Sequence, residues 1–439
     1  MNRMKYLKNS LIALALSMAG SNMWAQQTPA GAQETAVSIT GVTAHIGNGS
    51  VIENATLVFK SGIITAIGGA NTPTEGQLIN ANGKHVYPGF IANCSSLGLV
   101  EIDAVRATDD QDEIGDIIPH VRSLIAYNAE SKVVESMRPN GILLAQVSPK
   151  GGFVSGTSSV MQLDAWNWED AVVKTDDAVH MNWPSSFRRG RWWMGEDPGL
   201  KPNANYKRDI DAFVVFMENA KVYNDALSKE KNAPFQAAKG LFDGSKKLFI
   251  GANGDKEIID AVTAAKKLGV QEVVVVGGAE AYKVIPFLKK HNIAVLVEAT
   301  HNLPGSDDSD YDQPYKLPKL LADGGLLVSI QNADAANFQN RNLPFYAGQV
   351  VGQGMDKEEA LSLITLNAAK ILGIDQEFGS LEVGKSATLF VSEGDALDMR
   401  TNLVSHAFIQ GRQLSLETHQ TELWKRYMGK YNSAEKTDQ

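Results

Sequence analysis

The sequence predicts an α/β protein in which β-rich ends bracket a middle of alternating strands and helices. Three observations carry that expectation. Residues 37–68 break into short runs, VSITGVTAHI and ATLVFKSGIITAIGG, with turn signals at Gly47-Asn48-Gly49 and Ser61-Gly62 between them. The stretches GSLEVGKSATLFVSEGD and LVSHAFIQGRQLSL near the other end have the same character. Between them KLFIGA, VQEVVVVGG, AVLVEAT and LLVSI read as strands separated by helical segments, the cadence of successive βαβ units. A doubly wound sheet and an eight-fold barrel both fit that cadence.

Each element has its own signal. Residues 1–25 place Arg3, Lys5 and Lys8 before the apolar LIALALSMAG and the small-residue SNMWA, the order of a secretory signal cleaved after Ala25. About ten apolar residues are too few to span ~30 Å of hydrocarbon. Residues 26–36 read as a flexible leader. Within 85–99, HVYPGFIANCSSLGL, a strand passes through Pro88-Gly89-Phe90-Ile91 and ends in small and polar residues. Segments 101–138 and 203–232 are charged and helix-like, and GGFVSGTSSV reads as a backbone turn after a strand. Residues 166–198 gather Trp166, Trp168, Trp183, Trp192 and Trp193 around Arg188, Arg189 and Arg191, an insertion on the rim or a lid facing a ligand. In KEIIDAVTAAKKLG (256–269), Ile258, Ile259, Ala261, Val262, Ala265 and Leu268 make one apolar helical face closed by Gly269. AEAYKVIPFLKKHN reads as helical despite Pro286, and KLPKLLADGG as a short helix. The acidic SDDSDYD (306–312) lacks the glycine and distal glutamate of a calcium loop, so it reads as a solvated loop.

Composition narrows the function classes. At 44% hydrophobic and 21% charged, the 439 residues match neither a disordered nor a membrane-embedded chain. The formal net charge of −9 becomes −9 − 3 = −12 once the three basic residues of the signal are removed, which disfavours nucleic acid and anionic membrane surfaces as partners. Cys94 is the only cysteine, so no intrachain disulfide forms even after export.

The β module entering PGFI, the βα middle, and ITLNAAKILGIDQEFGSLEVGKSATLFV together resemble the amidohydrolase superfamily, and its imidazolonepropionase-like branch in particular, from about Val37 to Leu416. The resemblance implies a (β/α)8 TIM barrel over residues 88–378. A small β-sandwich from residues 37–87 and 379–417 would accompany it, followed by a tail at 418–439. It also implies an active site at the C-terminal ends of the strands, where one or two divalent metals, usually zinc, activate water to cleave small C–N bonds. Thr388 stands where the family usually has aspartate.

Carried over residue by residue, the family's ligand positions are not filled by ligands. The His-x-His pair after the first strand falls on Cys94 and Ser96, and the histidine after the fifth on Gly251, with Asn253 two residues on. The sixth strand ends in Gly277, and the aspartate after the eighth falls on Ala333, between Asn332 and Asp334. The expected metal set is therefore empty, and zinc is a family property without its ligands here. Glu280, His301 and Asp334 are the candidate catalytic residues, and Asn253, Asn332 and Ser96 the candidate substrate-binding residues. His120 and His180 fall in loops to which the sequence gives no direction. Two readings follow: a hydrolase of non-peptide C–N bonds by ancestry, or a non-catalytic barrel that binds a small molecule or assembles with itself or an active paralogue. Both place the mature chain in the periplasm or outside the cell.

Overall fold

The computed structural model describes residues 28–226, 230–305, 309–332 and 337–435. The signal segment lies outside them. Two eight-stranded sheets organise the chain.

The first sheet draws on both ends of the sequence. Val37–His45 pairs antiparallel with Val51–Lys60 and parallel with Gln77–Asn80 and His85–Pro88. Leu389–Ser392 then joins His85–Pro88 antiparallel, and Val404–Ile409 and Arg412–Gln413 extend that edge. Ser61 and Gly62, at φ 52° and 81°, make the two-residue turn between Val51–Lys60 and Ile63–Gly68. Two successive positive φ values match the right-handed twist of the paired strands. Ile39, Leu57, Phe59, Val86, Leu389 and Phe408 fill one face of this sheet.

The second sheet is the barrel. Its strands are Phe90–Ser95, Ile142–Val147, Val154–Gln162, Val172–Asn182, Lys247–Ala252, Val273–Gly277, Ala294–Val297 and Val328–Ile330, hydrogen-bonded in chain order. A parallel bridge between Asn93 and Gln331 brings the last strand back to the first. The architecture departs from regular eight-fold βα repetition at the third strand, which runs antiparallel to both neighbours. The cause is connection length. Residues 148–153 and 163–171 are too short for the crossover of a dozen or more residues that parallel neighbours need, so the chain turns back on itself. From the fourth strand onward every pairing is parallel.

Inside the barrel, Ile91, Leu144, Val160, Ala178, Phe249, Val274 and Leu296 meet in one apolar layer. The helix Leu366–Leu372, from the NAAKIL stretch, packs Ala368, Ala369, Ile371 and Leu372 against that layer and closes the barrel from below. Outside it, the helix Asp255–Lys267 buries Ile258, Ala261, Val262 and Ala265, while Ile259 remains 38% exposed. Pro286 stands in the first turn of Ile285–Lys290, where its missing N–H costs no hydrogen bond.

Residues 203–232 give the long helix Tyr206–Asp225, but 101–138 forms only short turns and helices such as Ser123–Ala126 and Lys132–Glu135. Glu101, Asp103, Asp109, Asp110, Asp112, Glu113 and Asp116 crowd the start of that segment, and like charges at helical spacing oppose a helix. Ala30, in the leader, donates its N–H to Asp164 at 2.9 Å. Residues His419–Glu435 form a helix. No helix among the described residues is long and apolar enough to cross a membrane.

Candidate functional site

Strand alternation stacks a polar layer on the apolar one. Two residues beyond Leu144 comes Gln146, beyond Ala178 comes His180, and beyond Phe249 comes Gly251. The third strand enters from the opposite direction and contributes Ser158 two residues before Val160. Asp177 joins this layer because Asp176, at φ 52°, interrupts the alternation where the register with the third strand shifts.

These groups form one buried network. Ser158 Oγ and Gln146 Nε2 each donate to Asp177 at 2.7 Å, and Cys94 donates its N–H to Gln146 Oε1 at 3.1 Å. His180 Nε2 lies 2.9 Å from Ser158 Oγ. With the single hydroxyl proton on Asp177, His180 completes the contact as a neutral imidazole donating from Nε2. Burial drives its pKa down to about 3. Burial also raises the Asp177 carboxyl, against the two hydrogen bonds that hold it down.

The His180 environment sets a pH dependence. An imidazole that refuses a proton in the native state but takes one near pH 6.5 when unfolded contributes stability above that value and loses it as pH falls toward 3. At ~1.4 kcal/mol per unit, the loss reaches about 2 kcal/mol by pH 5. Asp177 acts in the opposite sense. Comparison of wild type with His180→Gln in urea unfolding at pH 7 and pH 5 isolates the histidine: wild type is expected to lose about 2 kcal/mol more than the variant over that interval. Equal losses refute the assignment.

Above the polar layer the strand ends open into a cleft of two adjoining compartments, about 390 and 540 Å3, which share Asn253, Gly254, Gly277 and Glu298. Asn182, Trp183, Gly251, Glu257 and Gln331 line the inner compartment. Glu280, Asn302, Gln313 and Leu317 line the outer one. Trp183 closes one wall, edge-on to Phe213, and its indole N–H donates to Tyr206 Oη at 3.1 Å. Tyr206 in turn donates to Asp260 at 2.8 Å.

The sequence-predicted residues scatter around this cleft. Asn253 lines both compartments, donating to Glu298 at 3.4 Å and accepting from the Ala279 N–H at 3.3 Å. Glu280 faces the outer compartment with both oxygens engaged: one accepts from the Asp255 N–H at 3.1 Å, at the start of the helix Asp255–Lys267, and the other pairs with Lys283 at 2.5 Å. His301 lines a separate hollow with Lys357 and Asp395, its ring edge-on to Tyr346, so it does not converge with Glu280. Burial lowers its pKa. Ser96 and Asn332 are 4% exposed; Asn332 lies beside the Tyr346 hydroxyl. Asp334 lies outside the described residues. His120 is on an exposed turn. In the acidic loop, Asp310 and Asp312 pair with Lys316 at 2.6 and 2.9 Å.

The side chains present do not suit the zinc site of the implied family. Cys94 and Ser96 are buried, and Gly251 and Gly277 have no side chains to offer. At Gly277, φ 90°, the backbone is one that residues with side chains rarely adopt, and a Cβ would also meet the Asn253 side-chain oxygen at 2.3 Å, so a ligand on the sixth strand is disfavoured there. Among the described residues no group of three or more His, Cys, Asp or Glu side chains is placed to hold a metal.

Of the tryptophan-rich segment, only Trp183 reaches the cleft. Trp192 and Trp193 are 71% and 67% exposed, beyond a hairpin of Phe187–Arg189 and Leu200–Pro202. That hairpin is tied to the rim by Ser186, whose N–H and hydroxyl both donate to Glu257, at 2.7 and 2.5 Å. Sequence reasoning missed Gln146, Asp177, His180 and Glu257. The alternation Ala178, His180, Asn182 was the signal that could have located His180.

Residues 253–414 match the model of the amidohydrolase family. Over 408 residues the chain is 22% identical to an imidazolonepropionase of Flavobacterium psychrophilum, covering 82% of this chain and 92% of that protein. The crystal structure of an amidohydrolase from Thermotoga maritima matches with a TM-score of 0.74 at 20% identity, over 86% of this chain and 99% of that one. Molinate hydrolase matches with a TM-score of 0.54 at 15% identity, over 88% and 96% of the two chains. An adenosine deaminase from Xanthomonas campestris with bound zinc gives 0.52 at 14%, over 91% and 98%. At these identities the solved structures speak to the fold alone.

Proposed function

From the premise that residues 253–414 carry an amidohydrolase family domain, we propose that this is an exported barrel protein, a hydrolase of non-peptide C–N bonds by ancestry. In this reading it binds a small molecule in the strand-end cleft without the family's metal-dependent chemistry. The terminal sheet is read as the β-sandwich that accompanies such barrels. The observation that carries the reading is the backbone at Gly277, whose φ of 90° is one that residues with side chains rarely adopt, so the sixth strand ends where an imidazole ligand is disfavoured. At the first strand Cys94 packs into the apolar layer beneath the strand ends, and Ser96 offers only a hydroxyl, which supports the same conclusion. What remains is a cleft lined by carboxylates and amides together with Trp183 in the inner compartment and Leu303 and Leu317 in the outer, a composition suited to orienting a small polar ligand.

Metal analysis of purified mature protein tests this directly, with a substoichiometric content of transition metal expected. A screen of hydantoins, imidazolones, N-acyl amino acids and small dipeptides should then give stabilisation on binding without turnover. Hydrolysis that chelators abolish would overturn the reading.

A further inference from the structure

The barrel face opposite the cleft holds a separate hollow of about 420 Å3, where the fifth, sixth and seventh strands begin. Lys247, Lys266, Lys289 and Lys370 line it with His291, and Glu272 is the one acid among its described lining residues. Four ammonium groups against one carboxylate give this hollow +4 − 1 = +3, in a chain whose net charge is −9.

Three of the lysines stand in the last turns of helices, where a positive charge offsets the negative end of the helix dipole. That accounts for lysine at each position taken singly. It does not account for their convergence on one hollow together with Lys247, which opens a strand. The hollow also holds some of them in place: Lys266 donates to the Gln271 carbonyl at 2.6 Å, Lys289 to the Gly324 carbonyl at 3.4 Å, and Lys247 pairs with Glu272 at 3.0 Å. An ammonium has three donors, so each of these contacts leaves others for a ligand. Burial pulls Lys266 below its ordinary pKa, opposed by Glu272.

We propose that this hollow binds a small multivalent oxyanion, a diphosphate or a tricarboxylate, at a site independent of the strand-end cleft. A multivalent anion fits because one negative charge would leave most of the surplus uncompensated. A concave site with Lys247 only 18% exposed suits a soluble anion that enters it.

Titration calorimetry of the intact protein at low ionic strength tests the proposal, with pyrophosphate and citrate as separate probes. One probe or both should bind at a single site, and the affinity should fall as salt is added. In the double variant Lys289→Gln/Lys370→Gln, which alters two exposed side chains, the affinity should drop by roughly tenfold or more. Lys60→Gln, on the terminal sheet, should bind as wild type does. Circular dichroism confirms that the variants fold. Absence of binding by both probes, or equal affinity in wild type and the double variant, overturns the proposal.

Discussion

Asp164→Ala is expected to cost about 3–5 kcal/mol of folding stability, because it leaves two guanidinium groups without their carboxylate in a buried setting. Asp164 is 1% exposed and accepts from Arg138 Nη1 and Arg412 Nη1, each at 3.0 Å, as well as from the Ala30 N–H. These partners lie far apart in sequence. Arg138 precedes the second barrel strand, Arg412 belongs to the terminal sheet, and Ala30 to the leader. Burial lowers the Arg138 pKa, and Asp164 is the first of the charges that oppose this. Asp164→Asn retains the shape and some of the hydrogen bonds, so it should fall between wild type and alanine. Urea unfolding at pH 7 gives the numbers. A loss under about 1 kcal/mol for the alanine variant would mean that the cluster is worth no more than an exposed pair.

Phe390→Ala should be comparably damaging, at about 3–5 kcal/mol for a fully buried phenylalanine. The strand Leu389–Ser392 divides its side chains by alternation: Leu389 and Val391 enter the core of the terminal sheet, and Phe390 enters the main barrel core. There its ring lies edge-on to Phe90 at 4.8 Å and stacks on Tyr87 at 5.4 Å. Gly141, at φ 83°, makes the close approach possible, since a Cβ there would come within 2.5 Å of the ring. Thermal unfolding should show a lowered midpoint for Phe390→Ala and a smaller shift for Phe390→Leu. Identical shifts for the two would indicate that packing at this boundary is loose.

Much of the architecture was legible because it rests on periodicity. The helical face of residues 256–269 and the apolar run VVVV each state their element locally, and PGFI stated where the first barrel strand runs. Strand direction is different. Val154–Gln162, rich in Ser, Gly and Thr, read as part of a turn after a strand, whereas it is a buried barrel strand that the short connections on either side force antiparallel. The site was less legible still. Glu280 sits at the rim as expected, yet its carboxylate is committed to a helix end and to Lys283. His301 follows a strand as the reading required, but a residue just past a strand can turn to either side. Gly277 read as a missing ligand, and only the three-dimensional structure shows its left-handed backbone, φ 90°, which disfavours any side chain there.

The antiparallel third strand bears on how the barrel forms. Residues 142–182 make a three-stranded meander whose partners are near neighbours in the chain, so it can assemble early through short loop closures. The seam between Asn93 and Gln331 joins positions 238 residues apart, the longest closure among the barrel's own strand contacts, and carries the largest chain-entropy penalty of these. Kinetic measurements should therefore find variants in the meander slowing refolding, and variants at the seam chiefly accelerating unfolding.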